Sequence, residues 1–139
     1  MNLVSHPSTI SIGILYHNAS EMIEWLCNTF GYEKKLVVEG KQNTITHAHL
    51  TFGNGSIMIS SAENQQKIEL CKSPKEIGGI GTAEIIVYIK EVDEHYNKTK
   101  SSGADIIIDI EDKPYGGRSY CCKDPEGHIW VFSSYNAWQ

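Results

Sequence analysis

Residues 84–110 read EIIVYIKEVDEHYNKTKSSGADIIIDI, two β-branched apolar runs that flank a polar stretch. The apolar runs are typical of strands, and the polar stretch from about Val92 to Ser101 is predicted to be a helix. Gly103 follows at the place where a left-handed residue would end that helix. The segment therefore predicts a strand, a helix and a second strand.

The same pattern occurs 72 residues earlier. ISIGILY, residues 10–16, is a strand candidate, and Asn18 with Glu21 after it resembles a capping box at the start of a helix. Gly31 then ends the helix as Gly103 does. A shift of 72 also places Gly55 on Gly127. We therefore predict two similar modules, related by one constant shift.

Three more strands are predicted in each module. In the first module they are residues 33–39, 44–52 and 56–61, and in the second they are 104–110, 118–122 and 128–134. The chain, 1–139, is thus expected to be a single α+β domain, with module one at about 9–61, a linker at about 62–82 and module two at about 83–135. The GGIG run of the linker lacks the Lys-Ser/Thr ending of a phosphate loop.

Composition excludes several classes of partner. The 139 residues are 40% hydrophobic and 21% charged, as in an ordinary globular domain, and the formal net charge is -5. A negative chain repels phosphate backbones, so no nucleic acid is expected. No apolar run reaches the roughly 18 to 20 residues of a membrane span, and no signal peptide is recognisable. Four cysteines without a CxxC pair favour a reduced, cytoplasmic protein.

Alternation along the strands predicts which side chains face the helices. Ala48, Leu50 and Phe52 should face one helix, and the large aromatics Trp130 and Phe132 should face the other. The opposite side would then be a mostly apolar wall with a few polar groups, as small-molecule sites tend to be. Its predicted members are His47, His49, Thr51, Ile57, Ile59, Ser61, Ser119, Cys121, Ile129, Val131 and Ser133.

Two segments resemble a known family. The run YGGRSYCCKDPEGHIWVFSSY, residues 115–135, together with HAHLTFGNGSIMIS, residues 47–60, is similar to the vicinal oxygen chelate superfamily. This superfamily includes glyoxalases, bleomycin-resistance proteins and extradiol dioxygenases, and the resemblance covers nearly the whole chain. It implies tandem βαβββ modules that form a cupped eight-stranded mixed sheet with the helices outside, usually within a homodimer. It does not imply one activity, because isomerases, dioxygenases, thiol transferases and binding proteins share the scaffold.

The resemblance also implies where a metal would be bound. Metalloenzymes of the family take His, Gln or Glu ligands from the first and last strand of each module. A one-residue shift, which would change the face of each strand, gives no better ligands. Because a catalytic site needs about three N, O or S ligands, we predict neither a metal nor another cofactor. The four positions here are Ser11, Ile59, Glu84 and Val131, and the shifted ones are Ile12, Met58, Ala83 and Trp130.

Two histidines are candidates for ligand contact. His47 and His49 alternate on one strand, which places their rings on one face about 6 to 7 Å apart. They are interpreted as half-buried polar residues, as contacts to a bound molecule, or as a displaced metal pair. No third ligand is placed near them by spacing.

Four further residues complete the candidate ligand site. Glu84 is either a buried base or an exposed residue that begins a strand. Arg118 either binds a ligand carboxylate or pins Tyr120 and an acidic neighbour. Cys121 is expected to be an inert side chain, since nothing nearby would lower its pKa. Val131 is expected to line the wall of the site.

Two classes of function remain open. The first is a metal-free protein of the bleomycin-resistance type that binds a small organic molecule. The alternative is a lyase, isomerase or dioxygenase that uses a displaced metal at His47 and His49, or Glu84 as a base. Exposed apolar strand faces and edges also predict a homodimer. Tyr135 and Trp138, which follow the last strand, are expected to pack rather than to lie in solvent.

Overall fold

The computed structural model describes residues 6–63 and 70–139. The chain divides into two units, Met1–Ser73 and Pro74–Gln139. Residues 64–69 of the predicted linker lie outside the described part. Among the described residues, no helix is long and apolar enough to cross a membrane.

The first unit is a βαβββ module. Its strands form one mixed sheet in the order β1-β4-β3-β2, with β1 parallel to β4 and the other pairs antiparallel. A 3₁₀ turn at Lys41–Asn43 links the second and third strands. The elements are β1 (Ser11–Tyr16), α1 (Ala19–Phe30), β2 (Glu33–Glu39), β3 (Ile45–Phe52) and β4 (Gly55–Ser61).

The second unit repeats this topology after a 3₁₀ turn at Pro74–Ile77. Its sheet has the order β5-β8-β7-β6, again with the first and last strands of the module parallel. The α+β class and the tandem βαβββ modules are confirmed, and every strand and helix boundary lies within about two residues of its prediction. The elements are β5 (Glu84–Tyr88), α2 (Val92–Ser101), β6 (Asp105–Asp112), β7 (Arg118–Lys123) and β8 (Ile129–Ser133).

Each helix covers one face of its own sheet. The apolar residues of α1 recur at helical spacing, and its buried side is continued on the sheet by alternate, buried strand residues. Gly31 ends α1 with φ 92°, and its N–H donates to the Cys27 carbonyl. Gly103 follows α2 with φ 83°, as predicted. The buried set of the first module includes Ile14, Tyr16, Met22, Ile23, Leu26, Phe30, Leu50, Ile57 and Ile59.

Aromatic rings form the core under α2. Trp130, Tyr120 and Phe132 are fully buried, and the Phe132 ring stacks on both others. The His95 ring of α2 lies 4.2 Å from that of Phe132. The Tyr120 hydroxyl donates to Thr99 Oγ1 over 2.9 Å, and it lies 2.6 Å from His95 Nδ1. The predicted helix-facing position of Trp130 and Phe132 is confirmed.

The constant shift of 72 residues is wrong by one residue in part of each module. Strand pairing places His49 beside Met58, whereas it places Cys121 beside Val131. Shifts of 72 for β3 and 73 for β4 therefore relate the two modules.

The difference arises in the turns. Gly55 begins β4 after a two-residue turn, whereas Gly127 has φ 95° inside the five-residue connection from β7 to β8. A one-residue slip moves every side chain of a strand to the other face. Ile57, Ile59 and Ser61 are accordingly buried on the helix side, and their predicted place on the wall of the site is wrong.

Candidate functional site

We call the side of the first sheet away from α1 the first open face. Register assigns it three rows across the strands. The middle row runs from β1 to β2 through Gly13, Met58, His49 and Leu36. The row on one side contains Leu15, Ser60, His47 and Val38, and the row on the other contains Ser11, Ser56, Thr51 and Glu33.

The two predicted histidines lie together on this face. The ring centroids of His47 and His49 are 5.4 Å apart, with the rings nearly perpendicular, and both residues are half-buried. Their common face is confirmed. Their neighbours Met58 and Gly13 were not predicted as site residues, because their position depends on the register of β4 and β1.

We call the side of the second sheet away from α2 the second open face. Ile86, Tyr88 and Ile108 are exposed by 65%, 52% and 46%. Large apolar side chains exposed together on one sheet face are typical of a binding surface. By register the face consists of Glu84, Ile86, Tyr88, Ile108, Ser119, Cys121, Lys123, Ile129, Val131 and Ser133. It thus contains three of the predicted site residues: Glu84, Cys121 and Val131.

The thiol of Cys121 is not activated. Burial raises the pKa of Cys121, and the nearby Glu84 carboxylate raises it further, while Lys113 and Lys123 oppose the shift. Burial raises the pKa of Cys122, on the helix side, to about 12. Because the thiolate is the reactive form of cysteine, this agrees with an inert Cys121.

Arg118 lies on the helix side of β7, not on the second open face. Its Nη1 donates to Asp112 over 2.9 Å, and its Nε lies 3.3 Å from a carboxylate oxygen of Asp93 in the first turn of α2. Of the two predicted roles, the structure shows the one that pins acidic neighbours. Arg118 is therefore separated by the sheet from Cys121.

The Asp-Pro-Glu-Gly connection orients β8. The carboxylate of buried Asp124 accepts the backbone N–H groups of Glu126 and His128 and the indole N–H of Trp130. One side chain thus closes the turn and positions the strand that contributes Val131 to the second open face. His128 takes part through its backbone, in agreement with its predicted place in the turn.

The residues at the family's metal positions do not fit a metal. Ile59 faces α1, so that Met58 occupies the open-face position in β4. Glu84 is the one good ligand among Ser11, Met58, Glu84 and Val131. Within residues 6–63 and 70–139, no group of three His, Cys, Asp or Glu side chains could hold a metal ion.

The carboxyl-terminal segment is more exposed than expected. Trp138 is 97% exposed, so the prediction that it packs within the chain is wrong. Tyr135 does pack, with its ring edge-to-face on Tyr115 at 5.0 Å. A short segment after the last strand offers no second apolar layer to Trp138, which explains the difference.

Comparison with known proteins establishes the family. The model of the Glyoxalase/Bleomycin resistance protein/Dioxygenase superfamily matches residues 10–132. The chain therefore belongs to this superfamily, as its sequence resemblance indicated.

Individual relatives are similar over most of the chain. The crystal structure of TioX from Micromonospora sp. ML1 is 31% identical, with a TM-score of 0.76 over 93% of this chain and 99% of that one. The fosfomycin resistance protein FosX of Listeria monocytogenes, in complex with Mn(II) and sulfate, is 19% identical, with a TM-score of 0.66 over 98% and 97%. An uncharacterised Mycobacterium tuberculosis protein is 23% identical over 87% of this chain and 71% of its own length.

Proposed function

We propose that this protein binds a small organic molecule on the open faces of its sheets, without a metal at the family's ligand positions. The proposed contacts are His47 and His49 on the first open face, and Glu84, Cys121 and Val131 on the second. Arg118 is left out, because its guanidinium is engaged by two carboxylates on the other side of the sheet.

The observation that carries this proposal is the composition of the second open face. Three large apolar side chains are exposed there, and Val131 and Cys121 continue the apolar surface between the strands that bear them. Removing such a surface from water stabilises a complex by about 25 cal/mol per Å² of apolar area. Glu84 and Lys123 at one end supply polar groups that would orient a bound molecule.

The metal-free part of the proposal is supported by the chemistry of the side chains. Serine, methionine and valine replace three of the four expected ligands. His47 and His49 lack a third N, O or carboxylate partner in the described parts of the chain. The Listeria FosX structure contains Mn(II), but its 19% identity supports a common fold alone.

A ligand screen with two variants tests the proposal. Compounds of diverse shape should include some that raise the unfolding temperature, because a molecule that binds the folded state alone stabilises it. Val131→Trp, which fills the second open face, should abolish those shifts. Ile10→Trp, at an exposed position outside both faces, is the matched control and should keep them. Shifts that persist in Val131→Trp would contradict the second open face as the site.

Elemental analysis tests the metal-free part separately. Protein purified without chelators or a nickel column should contain far less than one zinc, iron or manganese ion per chain. About one ion per chain, lost in His47→Ala or His49→Ala, would favour the enzyme alternative instead.

We also propose that the protein is a cytoplasmic homodimer. Trp138 and the apolar open faces support association, since burying them removes apolar area from water. All four cysteines are free thiols, which supports a reducing compartment. Light scattering at micromolar concentration should give twice the chain mass of 15.6 kDa. A mass of 15.6 kDa would contradict the dimer.

A further inference from the structure

Gly13 leaves a gap in the first open face. It pairs with Met58 in the interior of the sheet, so a side chain at this position would lie on the same face. A Cβ atom built there would meet no heavy atom within 4 Å. Gly13 is not among the glycines with positive φ, so the backbone does not require glycine. A glycine inside a strand marks a place where another group can approach closely.

The groups beside this gap are suited to a flat aromatic molecule. The Met58 thioether is 41% exposed, and the His49 ring follows it on the next strand. Thioethers and aromatic rings make favourable contacts with aromatic rings. Gly13 and His49 are two strand spacings apart, about 10 Å, which suits two fused rings that bear one short substituent.

The charges on this face favour an anionic substituent. In the two rows that contain the histidines, His47 and His49 are the ionisable side chains, and neither row contains a carboxylate. Glu33 lies in the third row and pairs with Lys35 at 3.1 Å. An imidazole N–H can donate a hydrogen bond to a carboxylate oxygen. The histidines therefore offer donors to an anion within a chain of net charge -5.

We propose that the first open face binds a fused-ring aromatic carboxylate. The ring system lies over Gly13 and against Met58, and the carboxylate accepts hydrogen bonds from His47 and His49. This rests on the proposed function, since it names the class of molecule that one of the two faces binds.

Calorimetric titration with two matched probes tests this ligand class. The probes are 2-naphthoate and the neutral 2-naphthamide, which share the ring system and differ in charge. We expect 2-naphthoate to bind about tenfold more tightly. His49→Gln should remove most of that difference and leave 2-naphthamide binding within about twofold. His6→Gln, the same change at an exposed histidine outside this face, should alter neither affinity.

Gly13→Leu tests the position of the ring system. The leucine side chain fills the gap, so both probes should lose more than about tenfold in affinity. Gly13→Ala should give a smaller loss and serves if the leucine variant unfolds. Unchanged affinity for both probes in a folded Gly13 variant would overturn the assignment of the ring to this gap.

The outcomes separate this inference from the proposed function. Equal affinities for the two probes, or insensitivity to His49→Gln, would overturn the carboxylate while leaving binding intact. If neither probe binds but other compounds in the screen do, the aromatic carboxylate is wrong and the proposed function stands. If no compound binds at all, both fail.

Discussion

The indole N–H of Trp130 donates to the carboxylate of Asp124 over 3.0 Å, and both residues are buried. The same carboxylate accepts the N–H groups of Glu126 and His128. The short turn before β8 and the core under α2 are thus joined by one side chain. This contact links the DPEG motif to the face on which Val131 is presented.

Asp124→Ala is expected to lower the free energy of unfolding by about 2 to 4 kcal/mol, because it leaves buried N–H groups without their acceptor. Asp124→Asn should cost less, since its amide oxygen can still accept from the turn. Urea denaturation followed by tryptophan fluorescence measures both. A loss below about 1 kcal/mol for the alanine variant would contradict the assigned role.

Tyr120→Phe is expected to lower the free energy of unfolding by about 1 to 3 kcal/mol. The change leaves His95 and Thr99 without the hydroxyl between them. Burial raises the pKa of Tyr120, so its hydroxyl stays protonated across the neutral range. Tyr96→Phe, which removes a part-buried hydrogen bond to Asp109, is the matched control and should cost less. Equal losses in the two variants would show that burial of this network is unimportant.

Gly117→Ala is expected to destabilise the protein more than Gly103→Ala. Both glycines have positive φ, 73° and 83°, so alanine at either position costs about 1 to 2 kcal/mol. A Cβ on Gly117 would also lie 2.7 Å from the Tyr135 nitrogen, whereas one on Gly103 meets nothing within 4 Å. The clash should add about 1 to 3 kcal/mol. Thermal unfolding of the two variants measures the difference, and equal midpoints would contradict the close contact at Tyr135.

Thiol labelling at pH 8 should distinguish the four cysteines. Cys71 is exposed and should react first, and Cys71→Ser should remove that fast phase. With a pKa of about 12, Cys122 is a thiolate in only about one molecule in ten thousand at that pH. It should react only after unfolding. Rapid labelling of Cys122 in the folded protein would contradict its burial.

The raised pKa of Cys122 also predicts how stability changes in alkali. The unfolded thiol loses its proton near its model value of 9.0, while the folded thiol keeps it to about 12. Between these values the folded state binds more protons, so the contribution of this group to stability falls as pH rises. Cys122→Ala should reduce the loss of stability from pH 9 to 11 in urea denaturation. An identical loss in wild type and variant would contradict the shift.

The local elements of both modules were predictable from the sequence. Strands such as Ile10–Tyr16 are short β-branched runs, and the helices end at glycines that adopt the left-handed conformation. The alternation of His47 and His49 with Ala48 and Leu50 was also sufficient to predict the buried side of β3. These signals are local, because strand and helix periodicity depend on neighbouring residues.

Tertiary structure alone decided the faces of β4, the partners of Arg118 and the exposure of Trp138. A strand has period two, so the different lengths of the turns before β4 and β8 placed Ile59 in the core and Val131 on the open face. Arg118 is bound by Asp93, 25 residues away, through the packing of α2 on β7. Such contacts depend on register and packing between distant segments, whereas the sequence by itself determined the order and type of the elements.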